Sequence, residues 1–260
     1  IFFYIMLKFV SNTPTITSTY LIYIKLGGYI MKYEVILFDA DETLFDFKKA
    51  EKEAFKNSML ELDIEYDENY HFATYKEINT AIWKELEEGL ITQEKLKTER
   101  FKRLIDKLDM TFDENDFANI YMTHLGNGSF LFDGAMELIE DLSSKYILSI
   151  VTNGLTSVQE RRLKKSTIAK HFKDIVISES IGISKPNPDI FEHAINNLGT
   201  FNKDEVLMIG DNLNSDIRGG INYNIDTCWY NPNKLENKTD LKPTYEICDY
   251  TELRRLLLDK

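Results

Sequence analysis

The 260-residue chain is short of cysteine, with two, and of positive charge, with 31 lysines and arginines against 43 aspartates and glutamates, for a net charge of −12. Cys228 and Cys248 lack metal-ligand spacing and read as reduced thiols of a cytosolic protein, so a cytoplasmic location is expected. A nucleic-acid binder needs a basic footprint, and here the acid excess is spread along the chain. A nucleic-acid polymer is therefore excluded as partner. The four histidines, His71, His124, His171 and His193, are scattered and form no metal-like pair. Neither apolar stretch near the start, IFFYIMLKFV or YLIYIKLGGYI, reaches the roughly 20 residues that span a bilayer, and a clear secretory signal is missing. No membrane partner is expected. An anionic substrate is not excluded, because a metal ion and a lysine can reverse the local field.

The first thirty residues differ from the rest. Leu26-Gly27-Gly28-Tyr29-Ile30-Met31 is what a purine-rich GGAGG, a short spacer and ATG would encode in frame. The expectation is a native start at Met31, with residues 1–30 a non-native or disordered extension.

The chain has the length of one large domain or of a domain with an inserted module. KYEVILFDAD reads as a buried parallel strand over 34–38 with two aspartates at its end. From Asp46 to about Gly128 the period is helical: Phe47, Ala50, Ala54, Phe55, Met59 and Leu62 recur on one face. Further helices are expected over 70–88, 92–108 and 113–125, with stops at Gly89 and at Gly126-Asn127-Gly128. After Asp133 strands and helices alternate: YILSIVTNG a strand, TSVQERRLKKSTIAKHF a helix, DIVISES a strand, NPDIFEHAINNLG a helix, EVLMIGD a strand, DIRGGINY a helix, DTCWYN a strand and TELRRLLLD a helix. Such alternation predicts an α/β, Rossmann-like parallel sheet with helices on both faces. The expected organisation is an α/β core over 31–45 and 129–260, with an all-helical cap over 46–128 whose two junctions flank the aspartates.

Ligands of an open parallel sheet bind beyond the carboxyl ends of its strands. Those ends carry Asp39 and Asp41; Thr152, Asn153 and Gly154; Lys185, reached through SIGISKPNP; and Asp211 with Asn212, Asn214, Ser215 and Asp216. Each alone is weak. A D-x-D is usually a solvated turn, Thr152-Asn153 a cap, Lys185 a loop charge. Jointly they fit magnesium-dependent phosphoryl transfer. Mg²⁺ takes hard oxygens, which Asp39, Asp211 and the backbone carbonyl of Asp41 can supply. Lys185, the Thr152 hydroxyl and backbone N–H groups can neutralise a phosphoryl group. One aspartate can attack phosphorus while the other handles the proton.

In this order DADETL, VTNG, GISKPNPDIF and GDNLNSD resemble the four motifs of the haloacid dehalogenase superfamily, over essentially all of Lys32 to the C-terminus. The resemblance implies Asp39 as nucleophile, Asp41 as general acid/base, Thr152 as phosphate ligand and Lys185 as the charge steadying both. It implies Asp211 as a metal ligand with Asp216 supporting it, Asn153 and Gly154 beside the phosphate, and the helical insertion as a cap. Dehalogenases of this type lack the second acid, so Asp41 implies a phosphatase or mutase. DADETLFDF, with Glu42 where glycine is usual, and TCWYNP resemble the bacterial pyrimidine 5′-nucleotidases acting on UMP, dUMP and dTMP. A sugar-phosphate phosphatase or mutase and a phospho-receiver signalling module are the competing readings. A monomer or homodimer acting on a small phosphate ester is expected. Arg161, Arg162, Lys164 and Lys165 read as a solvated helix face, and Trp83 as packing.

Overall fold

Residues 32–259 are described by a computed structural model. The expected extension, residues 1–30, lies outside the described residues. The apolar run Val35–Phe38 forms β1, and every residue of it is buried. A strand buried on both faces belongs in the middle of a parallel sheet. β1 indeed pairs on one side with β2 (Ile147–Thr152) and on the other with β4 (Val206–Gly210). The register sets Phe38 opposite Ile150 and Ile209, so these three strands end within two residues of one another. β3 (Asp174–Ile177), β5 (Asp226–Tyr230) and β6 (Tyr245–Ile247) complete a six-stranded sheet in the order β3-β2-β1-β4-β5-β6, parallel throughout.

Between β1 and β2 the chain builds α1 (Phe47–Glu61), a π-helical turn (Glu68–Phe72), α2 (Ala73–Glu87), α3 (Gln93–Leu108), α4 (Glu114–Asn127) and α5 (Ala135–Ser143). Asp46, Thr92 and Asp113 each accept a backbone N–H from the first turn of the helix they precede, which fixes three of these starts. The cap has an aromatic core: Phe55 stacks on Tyr75 at 4.7 Å between ring centroids and Phe101 meets Phe117 at 4.9 Å. Leu155 and Val158, outside the insertion, join the same cluster. They lie at the start of α6 (Thr156–Lys165), so the cap packs on the core through that helix.

α5 and β6 are not among the expected elements, and three expected elements differ in their bounds. The helix expected through Phe172 stops at Lys165, because Ser166 is extended and turns Ile168 fully inward. The strand expected over DIVISES stops at Ile177 and becomes a short helix, α7 (Ser178–Ile181). Its Glu179 carboxylate accepts the Thr156 N–H at 2.6 Å, which holds the turn. Rather than stopping at Leu125, α4 runs on to the cap residue Gly128. β6 has three residues, too few for a period to show. The remaining elements are α8 (Pro188–Leu198), a π-helical turn (Leu213–Ile217), α9 (Arg218–Tyr223) and α10 (Tyr250–Leu257). No helix among the described residues is long and apolar enough to cross a membrane.

Candidate active site

The neighbouring strand ends bring the expected residues to one rim. Lys185 is the pivot. Its Nζ donates to Asp39 Oδ1 at 2.6 Å and to the Val151 carbonyl at 2.6 Å, and lies 2.8 Å from Asp216 Oδ1. All three ammonium hydrogens thus have acceptors, as a buried charge requires. Burial works against that charge, but Asp216 and Asp39 outweigh it and hold the ammonium above its ordinary pKa. Asn153 fixes the lysine backbone from both sides, accepting from Lys185 N at 2.8 Å and donating to its carbonyl at 2.9 Å. The Asn153 side chain expected beside a phosphate is therefore committed to Lys185.

Asp39, Asp211 and Asp216 place carboxylate oxygens within 4.8 Å of one another. Burial, followed by the other acids, pushes Asp39 up to about 7 even with Lys185 beside it, and Asp211 up to about 8. Three hard-oxygen donors short of positive charge fit a divalent cation such as Mg²⁺. Asp216 is fully buried, bound to Lys185 and accepting the Asn212 N–H at 3.0 Å. Only glycine fits at position 210, since a Cβ there would lie 2.2 Å from Asp216 Oδ2. Asp211 is set by two residues: the Thr43 hydroxyl accepts its N–H at 3.1 Å, and Trp229 Nε1 donates to its carbonyl at 2.8 Å. Trp229 comes from the TCWYNP segment, which gives that motif a structural task.

Asp41 contributes no carboxylate to the triad. Its Oδ2 accepts from Gln159 Nε2 at 2.7 Å and its Oδ1 from Arg162 Nη1 at 2.6 Å. Arg162 is fully buried, so the solvated face expected of the 161–165 charge run is wrong at this position. The Arg162 fork is held by the Gly128 carbonyl and by the faces of Phe45 and Phe47. Thr152 Oγ1 accepts from Gln159 Nε2 at 2.9 Å and from Gly154 N at 3.2 Å, which leaves its own hydrogen to donate. A Cβ on Gly154 would run into Gln159 at 2.5 Å. Glu42 stands in the left-handed region at φ 61°, where glycine is the usual choice. Its carboxylate accepts the Lys48 N–H at 2.9 Å in the first turn of α1, a local bond that helps hold the strained residue. Thr43, Gln159 and Arg162 are the members that the motif reading missed.

One cavity of about 570 Å³ faces this rim and continues to the cap, where Glu51, Lys76, Asn79, Trp83 and Arg100 line it. Trp83 therefore faces the cavity and is more than packing. Volumes of this order suit a small-molecule ligand.

A parallel sheet whose strand ends carry a lysine-braced acid triad, beneath a helical cap, defines a hydrolase of the D-x-D type. Residues 33–224 match the family described as haloacid dehalogenase-like hydrolase, and the chain belongs to that family. It is 37% identical to the pyrimidine 5′-nucleotidase PynA of Streptococcus pneumoniae, over 86% of this chain and 94% of that protein. Identity to the pyrimidine 5′-nucleotidase YjjG of Escherichia coli is 31%, over 87% and 99%. A magnesium-bound crystal structure of the HAD-hydrolase YfnB of Bacillus subtilis superposes with a TM-score of 0.82 at 36% identity, covering 87% of this chain and 99% of that one.

Proposed function

We propose that this chain is a Mg²⁺-dependent phosphatase that hydrolyses pyrimidine nucleoside 5′-monophosphates, UMP, dUMP and dTMP, through an aspartyl-phosphate on Asp39. The observation that carries the reading is the bond from Lys185 to Asp39 within the acid triad, at the floor of a cavity large enough for a nucleotide. The two relatives that bear the name pyrimidine 5′-nucleotidase along nearly their whole length support the substrate class.

Asp39, Asp211 and the Asp41 carbonyl would hold the cation, with Asp216 behind them. The ion supplies charge neutralisation for the phosphoryl oxygens. The Lys185 charge, held against Asp39, offsets the negative charge gathered there, and the Thr152 hydroxyl binds a further phosphoryl oxygen from the opposite side. An Asp39 oxygen attacks phosphorus as the bond to the nucleoside oxygen breaks. Asp41 gives that oxygen a proton, then takes one from the water that attacks the acyl-phosphate and frees Asp39. Gln159 and Arg162 aim Asp41 for both transfers. The cap over the rim excludes bulk water from the intermediate and favours turnover over the stored phosphate of a receiver. A cavity wall carrying Trp83 favours a flat base over a bare sugar.

The test is kcat/KM for UMP, dTMP, a purine monophosphate and sugar phosphates, with Mg²⁺ and with EDTA. Pyrimidine monophosphates should lead and EDTA should silence turnover. A sugar phosphate exceeding every pyrimidine nucleotide about tenfold overturns the substrate class. Asp39→Asn should abolish turnover, and Asp41→Asn should lower it by about 10²–10⁴.

A further inference from the structure

Opposite the acid rim, the cap wall of the cavity is built from one stripe of α2. Lys76, Asn79, Thr80 and Trp83 line the cavity and fall at the spacing i, i+3, i+4, i+7 of a single helix face. Tyr75, Ile78 and Ile82 on the other stripe are buried in the cap core, which fixes the rotation of the helix. Two neighbouring helices add polar side chains to this wall, Glu51 from α1 and Arg100 from α3.

These side chains are joined. Asn79 Nδ2 donates to Glu51 Oε1 at 2.7 Å, Lys76 Nζ donates to Glu51 Oε2 at 2.7 Å, and Arg100 Nη1 donates to Asn79 Oδ1 at 3.3 Å. Glu51, Asn79 and Arg100 are almost fully buried, at 1%, 6% and 2% exposure. A network that serves only to tie three helices together has no reason to stand on a cavity wall or to leave a member open. This one does both: Arg100 Nε is buried with no hydrogen-bond partner among the described residues. A buried N–H left unbonded is costly, and a small shift of this side chain would open it to a ligand or water in the cavity that Arg100 lines.

We infer that this cluster is the base-reading site, and that it takes the carbonyl-bearing edge of a uracil or thymine ring; the inference rests on the nucleotidase reading above. Its balance of donors supports that edge. Both Glu51 oxygens and the Asn79 carbonyl are already engaged within the cluster, whereas the Lys76 ammonium, the Arg100 guanidinium and the Thr80 hydroxyl retain hydrogens to donate. Uracil and thymine offer two carbonyl acceptors flanking one N–H. Cytosine also offers two acceptors, its carbonyl and N3, but they are adjacent and the far position carries an amino donor that would face cations here, so donors spread along the stripe suit the two separated carbonyls of uracil or thymine. Trp83, one turn along the stripe, offers a flat face on which the ring stacks. Phosphate bound at the acid rim, and base bound between Lys76 and Trp83, would then occupy the two ends of one cavity.

The experiment compares UMP with ribose 5-phosphate, which is the same substrate without its base, and UMP with CMP. Wild type and three variants are measured: Lys76→Met and Trp83→Leu, both at the cavity surface, and Asn79→Ala, which is buried. Circular dichroism establishes folding, and the two surface variants carry the test if Asn79→Ala does not fold. The UMP-to-ribose 5-phosphate ratio of kcat/KM should fall about 10–100-fold in each folded variant, the worth of one or two hydrogen bonds to charged groups. Most of the loss should lie in KM, and Lys76→Met should bring UMP and CMP close together. Ratios within about twofold of wild type would overturn the assignment of this cluster while leaving the nucleotidase reading in place. A wild type that favours ribose 5-phosphate would overturn the nucleotidase reading and this inference with it.

Discussion

Arg162 Nη1 donates to Asp41 at 2.6 Å while its Nε donates at 2.9 Å to the carbonyl of Gly128, where the chain leaves the cap. The proposed acid/base is thus tied to a cap junction by one fully buried side chain. Arg162→Met keeps the volume and removes the fork. It should cost about 1.5–3 kcal/mol of stability, the worth of hydrogen bonds to a charged group. It should also slow an alkyl phosphate more than p-nitrophenyl phosphate, whose leaving group barely needs a proton. Equal loss on both esters would show that Arg162 does not aim Asp41.

Lys185 and Asp216 form an ion pair with both partners buried. Removing one partner of such a pair leaves a stranded charge and typically costs about 3–5 kcal/mol. Lys185→Met should therefore lower the melting temperature sharply and abolish turnover. Adding Asp216→Asn should return much of the stability, because the stranded carboxylate is gone, and none of the activity. Urea denaturation of the two singles and the double measures the coupling. Additive losses would mean that the pair does not act as one unit.

The rim was legible because each of its groups stands where an apolar run ends. Asp39 follows β1, Thr152 closes β2 and Asp211 follows β4, and parallel register does the rest. Arg162, Gln159 and Asn79 were not legible by that route, because they sit in mid-helix among charges. A different signal marks them. The buried stripe of α6 runs Val158, Gln159, Arg162, Leu163, and in α2 Asn79 stands where the buried stripe Tyr75, Ile78, Ile82 borders the cavity-facing one. A polar residue in register with an apolar stripe is buried by the helix period itself, and a buried polar group needs a partner. Thr43 and Trp229 act through bonds to residues 168 and 18 positions away, which no local pattern encodes.

Metal and pH are coupled through the triad. The carboxyl groups of Asp39 and Asp211 rise from an ordinary 3.8 to about 7 and about 8, burial being the largest cause and neighbouring acids the next. A raised folded-state pKa means that the metal-free fold binds protons more tightly than the unfolded chain. Its contribution is complete below about pH 4 and is lost as pH climbs through the folded values, so the window runs from about 4 to 8. With EDTA present, the melting temperature should fall across that window. Mg²⁺ should raise it more at pH 8 than at pH 5, because the ligands bind as carboxylates. A magnesium effect that is the same at both values would remove the triad from the metal site.

Cap and core also meet at an ion pair away from the cavity. Lys97 of α3 lies 3.1 Å from Glu179 Oε1, and the second oxygen of Glu179 accepts the Thr156 N–H at 2.6 Å. Thr156 begins α6, the helix that carries Gln159 and Arg162 to Asp41. Burial alone would raise the Glu179 carboxyl pKa, but the Thr156 N–H and Lys97 outweigh it and hold the pKa below its ordinary value. The ionised pair therefore forms a latch across the two parts of the molecule. Such a pair, still partly exposed, is worth about 0.2–1 kcal/mol and is screened by salt. Raising salt to about 1 M should therefore raise the KM of the wild type by about two- to fivefold, as the cap is held less firmly against the core. Lys97→Met should show the raised KM already at low salt and little further change as salt is added, with kcat nearly steady because the acid rim is untouched. Parallel salt curves for the two proteins would mean that this pair has no part in closing the cap.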